Sequence, residues 1–307
     1  MNPHPNPAAP QRIAARVSIV GEDTPVARAL PHRQRRMIGA WCFLDHAGPV
    51  QFRPGQGLHV GAHPHIGLQT FTWLIEGAVT HRDSLGHEQV IYPGQVNLMT
   101  AGRGIAHTED SVQDGARLHA AQLWIALPDA ERQREPAFQN YPELPVIDQG
   151  GWRVTVLAGG LLGRSSPATV YTPLVGLDLA SRGAADVTLP LEPTFEYGAM
   201  VLRGSASVGG EAITTGELLY FAPGRAELRL QCDAEAQILL LGGEPFGQPV
   251  LLWWNFVGRT QDDMAGALAD WQASPNQGGR FGTVRPGSAA GALTPPVLEK
   301  LKVPSAS

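Results

Sequence analysis

The same glycine frame occurs twice in this chain. Gly77 closes an apolar run, Pro93-Gly94-Gln95-Val96 opens the next, and Thr100-Ala101-Gly102 follows. Gly204, Thr215-Gly216-Glu217-Leu218 and Ala222-Pro223-Gly224 repeat the arrangement, with eight residues from Gly94 to Gly102 and again from Gly216 to Gly224. A frame repeated at this distance implies two copies of one unit. Glycine and proline number 36 and 26 in 307 residues and are spread along the chain, which disfavours a helical bundle and fits short strands joined by tight turns. The clearest strands of the second block are Val154-Thr155-Val156, Val175–Leu179, Met200-Val201-Leu202 and Ile238–Leu241. The expected division is a disordered Pro/Asn/Ala-rich start over 1–11, a first β domain over 12–127, and a polar, Pro-rich connector over 128–151. A second β domain over 152–245 and a strand, helix and tail over 246–307 complete it. The helix is signalled by the capping pair Thr260 and Asp263, followed by Met264, Leu268 and Trp271 at helical spacing, and an irregular Gly/Pro/Ala-rich strap follows from Ser274.

Composition excludes several functions. A net charge of −5 offers no general attraction to nucleic acid, and the cluster Arg33, Arg35, Arg36 reads as a solvated loop. No apolar stretch approaches the ~20 residues of a membrane span, and the amino terminus lacks the apolar core of a signal peptide. Cys42 and Cys232 form neither a CxxC motif nor a disulfide framework. Together these point to a cytoplasmic protein with no membrane partner.

All ten histidines lie at or before His119. In a strand, side chains two apart share a face, so His63-Pro64-His65 presents two imidazoles together, on the parity of Gly67, Gln69, Phe71 and Trp73. His107-Thr108-Glu109 repeats the geometry with an imidazole and a carboxylate. Two such strands crossing in one barrel supply three nitrogens and one oxygen, a donor set that suits Fe(II), Mn, Co, Ni, Cu or Zn. His81 and His87 flank a turn and read as exposed hairpin residues; His59 and His119 have no partner at useful spacing. Phe71 and Trp73 serve either to pack the barrel or to contact a flat ring.

Gly57 followed by His63-Pro64-His65 matches the first cupin motif. The run from His63 to Thr70 and on through Leu74-Ile75-Glu76-Gly77, with Met99-Thr100-Ala101-Gly102-Arg103-Gly104-Ile105-Ala106-His107-Thr108-Glu109, closely resembles the pirin family of bicupins. Trp41–Pro49 and Trp253-Trp254-Asn255-Phe256-Val257 are similar to the same family, so the resemblance spans about residues 12 to 300. It implies an all-β bicupin, two β-barrel (jelly-roll) domains with a short C-terminal helix, and it makes His63, His65, His107 and Glu109 the ligands of one divalent metal ion. In pirins that ion is usually iron, which implies Fe(II) here. Gln69 stands where many pirins have a glutamate, which takes a second carboxylate out of the expected pocket.

Counting from the glycines, the second copy carries Pro190, Glu192, Arg229 and Gln231 at the ligand positions, which do not make a metal site. Several bacterial pirins are similar to quercetinases, which use a metal and O₂ to open the central ring of a flavonol and release carbon monoxide. The resemblance therefore implies a small aromatic substrate and O₂, with Glu109 as both ligand and catalytic base. Animal pirins imply the alternative of an iron-dependent regulator acting through a protein partner. A metal-dependent isomerase or hydrolase uses the same parts.

Overall fold

The computed structural model describes residues 9–21, 24–285 and 291–301. Their contacts divide into two compact units. Unit N gathers the described residues within Val17–Val26, Asp45–Glu143 and Gly247–Ser307, and unit C those within Met1–Arg16, Ala27–Leu44 and Leu144–Phe246. Among the described residues there is one α-helix, Gln261–Ala273, and no helix is long and apolar enough to cross a membrane.

Unit C has a seven-stranded sheet ordered Gln11–Ala14, Glu217–Phe221, Glu196–Arg203, Ala236–Gly243, Leu174–Ser181, Trp152–Ala158, Val146–Gln149, and a four-stranded sheet ordered Ala185–Pro190, Glu227–Cys232, Ser205–Val208, Glu211–Thr214. The alternation is regular. In Ala185–Pro190 the residues Ala185, Val187 and Leu189 are buried while Asp186, Thr188 and Pro190 are exposed. The inner faces close on a continuous apolar core that includes Trp152, Val156, Leu177, Leu189, Phe221 and Leu230.

The boundaries differ from those expected. Gln11 lies in a strand, Gln11–Ala14, that pairs with Glu217–Phe221 in unit C; the rest of the expected disordered start, 1–8, falls outside the described residues. Residues Ala27–Leu44 also belong to unit C, because the Gly39 amide bonds to the Glu196 carboxylate and the Trp41 indole N–H reaches the carbonyls of Val175 and Gly242, each at 3.2 Å. The stretch expected as a connector contains two strands. Ala137–Tyr141 pairs with Val96–Thr100 in unit N and Val146–Gln149 pairs with Trp152–Ala158 in unit C. Of the expected separate segment 246–307, the described residues from Gly247 onward are part of unit N.

Unit N faces a four-stranded sheet, ordered His59–His65, Ile105–Ser111, Val79–Asp83, Glu88–Ile91, with a seven-stranded sheet. The latter is ordered Ala137–Tyr141, Val96–Thr100, Leu68–Glu76, Arg117–Ala126, Trp41–Gln51, Thr24–Leu30, Arg16–Val20, of whose last three strands residues 45–51, 24–26 and 17–20 are those of unit N. His59–His65 is an edge strand, and edges need cover. Phe256 bridges to Ile66, the Leu293 amide bonds to the Ala62 carbonyl at 2.8 Å, and the small Ala62 and Ala106 let Phe256, Trp271 and Phe281 pack against the outer face. The helix that supplies Trp271 begins with the expected capping box between Thr260 and Asp263. Its buried stripe is Met264, Ala267 and Trp271, with Ala267 in the place expected for Leu268. The strap described over 291–301 packs Leu298 and Leu301 on the same cluster, and Leu301 bonds back to Gln261 at 3.0 Å. Cys42 and Cys232 are both buried, and neither is in a disulfide.

Between His65 and Leu68 the chain leaves one sheet and enters the other. Gly67 makes that step at φ +68°, its amide bonded to the Gly102 carbonyl at 2.8 Å, with the Val257 carbonyl packed where a side chain would begin. Gly67→Ala therefore combines left-handed strain of about 1–3 kcal/mol with a backbone clash. We expect a lower unfolding midpoint in urea than wild type at an unchanged slope; an equal midpoint would show that the Val257 strand yields at no cost.

Candidate metal centre

The site rests on one strand and its two neighbours. Ile105–Ser111 pairs antiparallel with His59–His65, placing His107 opposite His63, and antiparallel with Val79–Asp83, placing His107 opposite Asp83 and Glu109 opposite His81. His63, His65 and His107 are all buried, and one nitrogen of each lies within 4.8 Å of the others. The Nδ1 atoms are already engaged: His63 with the Gly61 carbonyl at 2.8 Å, His65 with the Asn255 carbonyl at 2.9 Å, and His107 with His81 Nδ1 at 3.2 Å. That leaves the Nε2 atoms to converge, and those of His65 and His107 are 3.1 Å apart. Two nitrogens each ~2.1 Å from one ion at roughly a right angle are separated by about this distance. The triad can hold a metal ion.

Burial sets the protonation states. Desolvation pushes His63 down to about 4, the Gly61 carbonyl opposing it, and holds His65 and His107 well below the ordinary imidazole value. All three are neutral at pH 7, the form that donates a lone pair to a metal.

Glu109 is not in the triad's cluster. A register shift between His107 and Glu109 moves Glu109 opposite Val60, and its carboxyl hydrogen-bonds with Thr72. Burial pushes this carboxyl up to about 7, the neighbouring Asp110 adds to the rise, and the Thr72 hydrogen bond opposes it.

The wall across from the histidines differs from the expected one. The step at Gly67 resets the alternation, so Thr70 and Thr72 share a face and Gln69, Phe71 and Trp73 share the opposite one. Gln69 bonds Thr100 Oγ1 at 2.9 Å on that opposite face, so its amide does not alter the site's charge. The aromatic rings beside the histidines are instead Trp124, 5.3 Å from His65, and Phe138, stacked on His81 at 4.3 Å. Between them runs a polar ladder in which Thr72 bonds Gln122 at 2.7 Å and Asn140 bonds Asn97 at 2.8 Å. Phe138 and Asn140 were hidden in the expected connector.

The remaining histidines also move. His81, expected on an exposed hairpin, is 3% exposed and touches His107, whereas His87 is exposed as expected. His59 bonds Asp110 at 3.2 Å, and the fully buried His119 lies 2.8 Å from His46, Nε2 to Nε2. In unit C the counted positions Pro190, Glu192 and Arg229 are exposed and Gln231 is half-buried, with Arg229 paired to Asp186. The neighbours that face inward there are Val187, Leu189, Leu228 and Leu230.

Two tests follow from this geometry. Replacing His63 and His65 together by alanine should abolish bound metal by elemental analysis, and retained stoichiometric metal would refute the triad. In metal-free protein, a histidine whose folded pKa is lowered favours folding fully above pH 6.5, and that contribution is lost as pH falls through the folded value. For His63 the loss at pH 5 is about 2 kcal/mol. Metal-free His63→Gln should therefore lose about 2 kcal/mol less than wild type in urea unfolding between pH 7.5 and 5.0; parallel losses would show that His63 is not held neutral.

Comparison with known proteins extends this picture. Residues 23–125 match the Pirin family and residues 176–277 match the family described as Pirin C-terminal cupin domain. A Pseudomonas aeruginosa protein named "Putative quercetin 2,3-dioxygenase" is 55% identical over 271 residues, covering 88% of this chain and 86% of its own. A pirin-like protein of Caulobacter vibrioides is 39% identical over 256 residues, covering 81% of this chain and 88% of its own. The crystal structure of quercetin 2,3-dioxygenase from Acinetobacter baumannii superposes with a TM-score of 0.92 at 49% identity, covering 96% of this chain and 97% of that one. The expected fold is thus the observed one, an all-β bicupin with a short C-terminal helix. With both halves matched and relatives of this identity spanning most of either chain, the protein belongs to the pirin family.

Proposed function

We propose that this protein is a metal-dependent dioxygenase of quercetin 2,3-dioxygenase type, acting on a flavonol or a similar aromatic enol, with Fe(II) as the resident ion. The observation that carries the reading is the placement of Glu109, a carboxyl pushed up to about 7, on the same strand and two residues from a buried, neutral three-histidine cluster. The relatives named for this activity, at 55% and 49% identity, support it. A divalent metal held by His63, His65 and His107 would supply Lewis acidity toward an enol oxygen and a place for O₂, with Glu109 standing beside it as the base.

The chain's own residues do the rest. A base works best when its pKa lies near the working pH; burial and Asp110 raise the Glu109 carboxyl to about 7 in the metal-free site, and a divalent ion beside it would draw it back down from there. Its bond to Thr72 holds the carboxyl on the polar ladder, so the proton is received at a fixed position. Trp124 and Phe138 offer ring faces to a flat substrate, and Gln122, Asn97 and Asn140 offer hydrogen bonds to its hydroxyls. Neutral histidines leave the site without a competing acid to return the proton. Flavonol and O₂ together account for the ring-opened product and the carbon monoxide released, so no further reductant is needed.

Iron-loaded protein mixed aerobically with quercetin should bleach the flavonol absorbance while consuming O₂; absence of turnover with Fe, Mn, Co, Ni and Cu forms alike would sink the dioxygenase reading. Glu109→Gln should lower kcat per bound metal by about 10²- to 10⁴-fold, whereas unchanged turnover would remove Glu109 as the base.

A further inference from the structure

The three histidines of the triad are not held alike. His63 and His65 turn their Nδ1 atoms to backbone carbonyls, those of Gly61 and Asn255. His107 turns its Nδ1 to another imidazole, His81, and His81 Nε2 lies 3.3 Å from Asp83 Oδ2. Asp83 is 2% exposed. It takes the Leu85 amide at 2.9 Å and the His87 amide at 3.1 Å on Oδ1, and His87 Nδ1 stands 3.0 Å from Oδ2. His81 is fixed sideways by its face-to-face stack on Phe138, with the planes 8° apart.

The chain of bonds has one consistent proton arrangement. Asp83, ringed by N–H donors, accepts. His81 therefore carries its proton on Nε2 and gives it to Asp83, which leaves His81 Nδ1 as an acceptor. His107 must then carry its own proton on Nδ1, and its Nε2 lone pair is bare toward His65 and His63. The reverse arrangement sets a bare His81 nitrogen against a carboxylate and protonates the very nitrogen of His107 that faces the triad. Geometry alone selects the metal-competent tautomer.

We infer that His81 and Asp83 are positioning residues for the metal centre, fixing the tautomer and orientation of His107 and making it the strongest donor of the three. The proposal rests on the reading of the triad as a metal site. The acceptor behind His107 is an imidazole that the Asp83 carboxylate polarises, where His63 and His65 have peptide carbonyls, and loss of a hydrogen-bond partner behind a ligating histidine typically costs 10- to 100-fold in metal affinity. His81→Phe keeps the ring stack and removes both hydrogen bonds. His81→Gln keeps an acceptor and a donor, and Asp83→Asn keeps an oxygen for the turn amides.

Co(II) serves as the probe, titrated into wild type and variants whose folding is checked by circular dichroism. His81→Phe and Asp83→Asn should bind Co(II) 10- to 100-fold more weakly and shift its visible ligand-field bands, with His81→Gln recovering much of the affinity. Wild-type affinity and an unchanged spectrum in His81→Phe would overturn the proposal, as would a His81→Gln no better than His81→Phe. Wild type that does not bind Co(II) would overturn the metal-site reading and this inference with it. Because a variant can fail to fold, metal-free wild type gives an independent readout. Long-range ¹H–¹⁵N spectra should show His107 protonated at Nδ1, and a proton found on Nε2 refutes the arrangement.

Discussion

The double pairing of the Ile105–Ser111 strand is the constraint on which the site depends. One neighbour brings His63 opposite His107 and the other brings Asp83 opposite the same residue, so a single register aligns the triad and the groups behind it. A slip of one residue would turn His107 and Glu109 outward and Ala106 and Thr108 inward. The register is held because the outer face is as specified as the inner one. Ala106 and Ala62 lie under Phe256, Trp271 and Phe281, and a larger outward residue would push that layer away.

The same layer explains how an edge strand can carry ligands. Ligand positions must be held to fractions of an ångström, and edges ordinarily fray. Here the edge of His59–His65 is tied by the bridge from Ile66 to Phe256, by the Leu293 amide on the Ala62 carbonyl, and by the Asn255 carbonyl on His65. The last of these makes the carboxy-terminal hairpin part of the site. That gives a physical role to the Trp253–Val257 run, which resembles pirins in sequence but carries no ligand.

Much of this was legible in the sequence because it depends on local chemistry. The glycine frame marks turns, the His-x-His pair and His107 mark the cluster, and Thr260 with Asp263 marks a helix start. What was not legible depends on where the chain changes sheet. Parity counted forward from His65 puts Phe71 and Trp73 at the site, but the Gly67 step shifts the count by one and delivers Thr70 and Thr72. Phe138 was obscured by the charged, Pro-rich residues around it, which outweighed the alternation of Ala137–Tyr141. His81 was the avoidable omission. His81-x-Asp83 has the same i, i+2 spacing that marked the candidate ligands, and only its nearness to a turn made it read as surface.

The two units show how the same frame leads to different interiors. Glycines fix where strands end, and they do not fix which parity faces inward. Counting from them in unit C lands on Pro190, Glu192 and Arg229, all outward, while Val187, Leu189, Leu228 and Leu230 fill the inside. That interior is stabilised chiefly by apolar burial, with the Trp152 indole N–H satisfied by the Leu230 carbonyl. The inner face of unit N buries His63, His65, His81, Asp83, Thr72, Asn97 and His107, each of which must find a partner or cost the fold. Carbonyls, a His–Asp pair and an amide–hydroxyl ladder satisfy most of them. The converging Nε2 atoms of the triad are the donors left over, and a cation is the partner that satisfies all three at once.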